Sequence, residues 1–135
     1  MQVMGQNGRN GHLLRAERAV QRARPEFEQA KKSKDELQAS QAAEKAWLAV
    51  AEATHALLRL KGVPEHKLPQ GHQGVFQMLR RYGGEDMART LVFVRGILHT
   101  EAFYRGAVEW RIVGEGLGQA EGFVARVRRL AEHRK

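Results

Sequence analysis

Apolar residues recur every three or four positions through most of this chain, and that spacing predicts helices. The clearest case is the stretch from Gln41 to Leu60. It is alanine-rich, lacks interior Gly or Pro, and carries Ala43, Ala46, Trp47, Val50, Ala53, Leu57 and Leu58 on one stripe. Small residues around a single Trp let a partner helix approach closely while the indole fills the remaining space. This is the expected central helix of a bundle, with Trp47 in the core between the first, second and fourth helices.

The other segments follow the same logic. Residues 1–11 are polar and rich in Gly and Asn, and they read as a flexible N-terminal tail. A first helix is expected from about His12, with Leu13, Ala16, Val20, Ala23, Phe27 and Ala30 inward and a kink at Pro25. Ser33 and Glu36 have the spacing of a capping box, which starts the second helix at Ser33. Gly62 is its expected left-handed stop. Val63 to Gly71, with Pro64 and Pro69, reads as a loop. A short third helix follows from Gly71 or His72 to Tyr82, with Val75, Phe76 and Leu79 inward, and Gly83-Gly84 ends it.

Glu85 and Asp86 suit the positive end of a long fourth helix. Its inward residues are expected to be Met87, Leu91, Val94, Leu98 and Ala102, while Val92, Phe103, Ala107 and Trp110 drift round the side. So wide an apolar circumference suggests a second covering surface, that of another subunit. Gly114, Gly116 and Gly118 mark the next junction. A last helix carries Leu117, Ala120, Val124, Val127 and Leu130. Strand alternation and repeats at solenoid spacing are both missing. The expected fold is all-α, an up-and-down bundle of about five helices, with residues 12–135 as one domain.

Composition narrows the function classes. The chain has 135 residues, 42% of them hydrophobic and 28% charged, and no cysteine. Disulfides, thiolate metal sites and cysteine nucleophiles are excluded, and a cytoplasmic location is expected. No apolar run approaches a membrane span, and the N-terminus lacks the pattern of a secretory signal. The net charge of +8 leaves two readings open: a solvated surface, or a phosphate-rich partner.

The candidate chemistry is sparse. Arg95 and His99 stand four apart on one helix face, where a histidine could move a ribose hydroxyl proton and an arginine could steady a charged phosphorane. The structural alternative is a half-buried histidine held by a hydrogen bond, with Arg95 paired to a carboxylate. Arg80-Arg81-Tyr82 and Arg126 to Arg129 are the densest basic spots, suited to a nucleic-acid backbone or simply to helix ends. His66 and His72 flank the Pro-rich loop but match no zinc signature, so no metal and no cofactor are expected. His55 is expected to be buried and hydrogen-bonded. Gly114-Glu115-Gly116-Leu117-Gly118 follows a helix rather than a strand, which excludes a dinucleotide loop.

Three short segments carry a family resemblance. Gln41-Ala42-Ala43-Glu44-Lys45-Ala46 resembles the second-helix motif of the HEPN superfamily. Gly71-His72 with Leu79 resembles the opening of its third helix. Leu98-His99-Thr100-Glu101-Ala102-Phe103-Tyr104 is similar to the Leu-His-x-x-Phe-Tyr signature of its PaREP-type branch, with one extra residue before Phe103. The resemblance spans roughly residues 12 to 134. It implies a small bundle that pairs as a homodimer, acting as a metal-independent ribonuclease toxin, an antitoxin or a companion of a nucleotidyltransferase. The ribonuclease members place four to six residues between arginine and histidine; here three lie between Arg95 and His99, and Gly96 follows the arginine. The expected function is therefore a non-catalytic module that binds a nucleotide or RNA, in a toxin–antitoxin or nucleotidyltransferase-companion setting. The alternatives are a metal-independent endoribonuclease and a structural helical adaptor. Arg95 and His99 are the candidate catalytic residues; Tyr104, Arg105, Arg80 and Arg81 are the candidate ligand-binding residues.

Overall fold

A computed structural model describes the backbone of residues 2–133 and the side chains of residues 11–133. Five α-helices and no strand occur among them. They are α1 (Gln2–Ser33), α2 (Glu36–Leu60), α3 (His72–Gly83), α4 (Glu85–Val94) and α5 (Trp110–Glu132). A 3₁₀ turn at Glu65–Lys67 lies between α2 and α3, and α4 continues into a π-helix over Arg95–Tyr104. The all-α bundle is as expected. No helix among the described residues is long and apolar enough to cross a membrane.

The expected stripes are the buried faces. Leu13, Ala16, Ala23, Phe27 and Ala30 of α1 are buried, and so are all seven named positions of α2. So are Met87, Leu91, Val94, Leu98 and Ala102 along α4 and the π-helix. Helix α2 is the hub: it packs against α1, α3, α5 and the π-helix. Alanines bury no polar atom and let those four neighbours close in around one helix.

Several boundaries differ from expectation. The α1 backbone is helical from Gln2, not from about His12, and it runs unbroken through Pro25. Ser33 does not cap α2. Its hydroxyl donates back to the Gln29 carbonyl at 3.0 Å, and Asp35 is the N-cap, accepting from the Gln38 amide at 3.0 Å. Both residues suit a cap; the turn at Lys34, with φ of 57°, puts Asp35 rather than Ser33 at the start. The stop at Gly62 is as read, with φ of 96°. The Gly62 amide donates to Arg59 and the Val63 amide to Leu58, both at 3.0 Å, while the Val63 and Leu58 side chains pack together. That is a Schellman ending with its hydrophobic contact.

The largest correction concerns the last junction. It lies between Arg105 and Glu109, turned by Gly106 at φ of 70°, and not at Gly114 to Gly118. Helix α5 opens at Trp110, where the Glu109 side chain accepts from the Ile112 amide at 2.7 Å. The three glycines sit inside α5, and Gly116 is buried where α5 crosses the π-helix. Leu130, expected inward, is 37% exposed; Val113 and Phe123 complete the stripe instead.

Part of the positive charge is spent on clamping helices. Arg128 of α5 holds both carboxylate oxygens of Glu17 on α1. Arg24 holds Glu121 at 3.0 and 2.8 Å, a bond that raises the arginine's own pKa. Lys45 reaches Glu26 at 2.7 and 2.6 Å. The first two pairs join α1 to α5, about a hundred residues apart, and the third joins α1 to α2.

Candidate functional site

The three segments that carry the family resemblance meet in space. Glu44 and Trp47 project from one stretch of α2, His72 opens α3, and His99 lies in the π-helix. The Trp47 and His99 ring centroids are 5.8 Å apart, Trp47 and His72 are 6.2 Å apart, and the two imidazoles are 5.9 Å apart. Phe103 stacks beyond His99 at 6.3 Å and 19°. Trp47 is 5% exposed and forms the floor. His72 and Phe103 are exposed, so the cluster opens to solvent. Trp47 thus serves the core as expected, but its aromatic neighbours come from α3 and the π-helix.

The π-helix has i→i+5 hydrogen bonds, as at its end, where the Arg105 amide donates to the Thr100 carbonyl at 3.0 Å. Its wider turns begin at Arg95 and contain both candidate catalytic residues.

His99 donates Nδ1–H to Glu44 Oε1 at 2.9 Å, which fixes the ring's orientation and leaves Nε2 on the side away from that bond. Arg95 pairs with no carboxylate among the described residues. Its Nε is buried and has no hydrogen-bond partner among the described residues. An unpartnered buried donor of this kind is costly and calls for an explanation. The His72 pKa is lowered, first by burial and then by the positive fields of Arg95 and His99. The field at His72 is therefore positive, and His72 disfavours a proton.

That shift carries a sign for stability. A base whose folded pKa lies below its unfolded value binds more protons when unfolded, so stability falls as pH drops below the free histidine range of about 6.5. The His72 contribution to the unfolding midpoint is expected to decline between pH 7.5 and pH 5.5. Over that range the wild type should lose more, or gain less, than His72→Gln; an equal slope in both proteins would remove His72 as the source.

The remaining candidates lie apart. Arg80 sits over the Phe76 ring at 5.7 Å and within 3.8 Å of Glu85; Arg81 lies over Tyr82 at 5.4 Å. Both are at the far end of α3 from His72, roughly 12 Å along the axis. Tyr104 is 79% exposed, and Arg105 reaches Glu101 at 3.7 Å, at the outer end of the π-helix. Arg126 lines a separate cleft of ≈ 270 Å³ with Met87, Thr90 and Phe123. His66 is exposed, and His55 Nε2 donates to the Pro69 carbonyl at 3.1 Å.

Sequence reasoning named Arg95 and His99 and missed Glu44, His72 and Trp47 as their companions. The signal was available, since each lies in or beside a segment quoted for the resemblance.

Such an arrangement defines a class: an all-α bundle in which Trp47, His72 and His99 converge from three helical elements. Within that class the chain belongs to the Archaeal PaREP1/PaREP8 family, which matches residues 18–123 and so includes every member of the cluster. Neither the curated proteins nor the solved structures supplied a match.

Proposed function

We propose that this chain is a HEPN-like, non-catalytic binding module whose ligand is a nucleotide or an RNA segment, taken up at the Trp47, His72, Arg95 and His99 cluster. The observation that carries this reading is the Arg95 guanidinium, whose buried Nε lacks a partner beside two imidazoles. Arg95 as a whole is only half-buried, so a phosphate can reach the exposed part of the guanidinium, and its charge would offset the positive field. The exposed Phe103 and Tyr104 offer rings for a base, and Arg105 a further cation at the rim. Val92, Phe93, Phe103 and Tyr104 are also exposed apolar residues along α4 and the π-helix, and they support a homodimer through this face, in an antitoxin or nucleotidyltransferase-companion role.

One observation favours a second reading, a metal-independent endoribonuclease. Glu44 orients His99 as a carboxylate orients a catalytic histidine, leaving Nε2 free for proton transfer. The close Arg95 to His99 spacing and Gly96 weigh against it.

Fluorescence anisotropy with a labelled single-stranded RNA and with a labelled nucleotide, at fixed low salt, tests both readings. Binding should weaken at least tenfold in Arg95→Ala, whose thermal midpoint should match or exceed that of the wild type. Absence of binding to either probe, or binding indifferent to Arg95, would sink the first reading. EDTA-resistant cleavage of a mixed RNA pool, lost in both His99→Ala and Arg95→Ala, would establish the second. Light scattering on the same samples should give twice the chain mass of 15.2 kDa.

A further inference from the structure

A second histidine cluster lies away from this site, where α1 at His12 meets the second half of α2. His12 is 8% exposed, an unusual depth for a residue so near the N-terminus. Its Nδ1 lies 2.6 Å from Glu52 Oε1, and its Nε2 lies 3.0 Å from both oxygens of Glu65. The His55 ring stands edge-on to it at 5.4 Å. One donor atom from each of His12, Glu52 and His55 falls within 4.8 Å of the others. These three groups come from two helices, and nothing in the proposed nucleotide site uses them.

Two further features match what a metal needs. Metal-bound histidines almost always donate their second ring N–H to a carboxylate or a backbone carbonyl, which fixes the ring. Here His12 Nε2 meets the Glu65 carboxylate, and His55 Nε2 meets the Pro69 carbonyl at 3.1 Å. That leaves Nδ1 of each ring as the atom to meet an ion; on His12 it now bonds Glu52 and would exchange that bond for the metal. A cation also already serves the site: the Arg15 guanidinium lies 3.1 Å from His12 Nδ1 and 3.3 Å from Glu52 Oε2. Its side chain is 56% exposed, so it can swing into solvent when a stronger cation arrives.

We infer that His12, Glu52 and His55 form a binding site for one divalent transition-metal ion of the zinc class, with Glu65 and the Pro69 carbonyl as supports for the two imidazoles. Two nitrogens and one carboxylate suit zinc or cobalt and poorly suit magnesium or calcium, which prefer oxygen cages. Tetrahedral bonds near 2.0–2.2 Å set donors roughly 3.3–3.6 Å from one another, so His12 Nδ1 and Glu52 Oε1, now 2.6 Å apart, must open by about 1 Å, while any pair near the 4.8 Å limit must close by about as much. Three protein ligands leave a fourth position for water. Bound metal would pin the first turns of side chains in α1 to α2.

The test uses the untagged full chain, stripped with EDTA and titrated with zinc chloride by calorimetry and with cobalt(II) by absorption. One ion per chain is expected, with the strong visible bands of four-coordinate cobalt and no competition from millimolar magnesium. His12→Gln, Glu52→Gln and His55→Gln should each weaken binding at least tenfold. Glu65→Gln, which removes only a support, should weaken it roughly tenfold. Cobalt added to the wild type should also shift the imidazole signals of His12 and His55 in NMR spectra, a readout that needs no variant to fold. No uptake, uptake that survives the double change of His12 and His55, or uptake lost instead in His99→Gln would overturn the inference.

Discussion

Trp47→Ala is expected to lower stability by about 3–5 kcal/mol. The indole is 5% exposed, and the small side chains beside it on α2, Ala43 and Ala46, are too short to fill the void it would leave. For a chain of this length the thermal midpoint should fall on the order of 10 °C or more. The same change removes the floor under His72 and His99, whose centroids lie 6.2 and 5.8 Å from the indole. Trp47→Phe should restore most of the stability. A Trp47→Ala protein that melts like the wild type would mean that the indole does not fill the space between α2, α3 and the π-helix.

Gly116→Val is expected to cost about 2–3 kcal/mol, although valine is the better helix former. A Cβ at this position would come within 2.9 Å of Leu98 Cδ2 and 3.1 Å of Ile97 Cγ2. Leu98 is fully buried and has nowhere to retreat, so the added methyls must push α5 off the π-helix. Two residues on, a Cβ at Gly118 would meet nothing within 4 Å. Gly118→Ala should therefore stabilise by roughly 0.5–1 kcal/mol, through helix propensity alone. Chemical denaturation of the two variants gives opposite signs if this packing is right. Equal signs would refute the close approach of α5.

Those two glycines also show why part of the fold was hidden. Local rules treat every glycine in Gly114-Glu115-Gly116-Leu117-Gly118 as a break, and they put the junction there. A glycine that makes room for a neighbouring helix has the same local signature as one that ends a helix. Only the neighbour distinguishes them. The cap of α2 was ambiguous for a similar reason: Ser33 and Asp35 are both good N-caps, and the left-handed turn at Lys34 decides between them.

The candidate site was legible in pieces. Arg95 and His99 share a face of one segment, so their spacing was enough to pair them. Glu44 and His72 lie 55 and 27 positions before His99, and no local period relates them to it. His12 drew no notice, because a single histidine near a polar N-terminal stretch has the look of a surface residue. Its partners Glu52, His55 and Glu65 meet it only once α1 has folded back along α2.

What the amino-acid order determined by itself is the set of helices, their buried faces and the stop at Gly62. Periodicity of 3.6 residues and glycine's access to positive φ act within a few positions of chain, and no distant contact is needed to read them. Tertiary structure alone decided the widening of the fourth helix after Val94, the place of the last junction, the pairing of Glu17, Glu26 and Glu121 with distant cations, and the gathering of both histidine clusters. Each of these depends on distances between elements. Those distances are set when α2 buries its alanine faces against four neighbours at once, and they are written in no single segment.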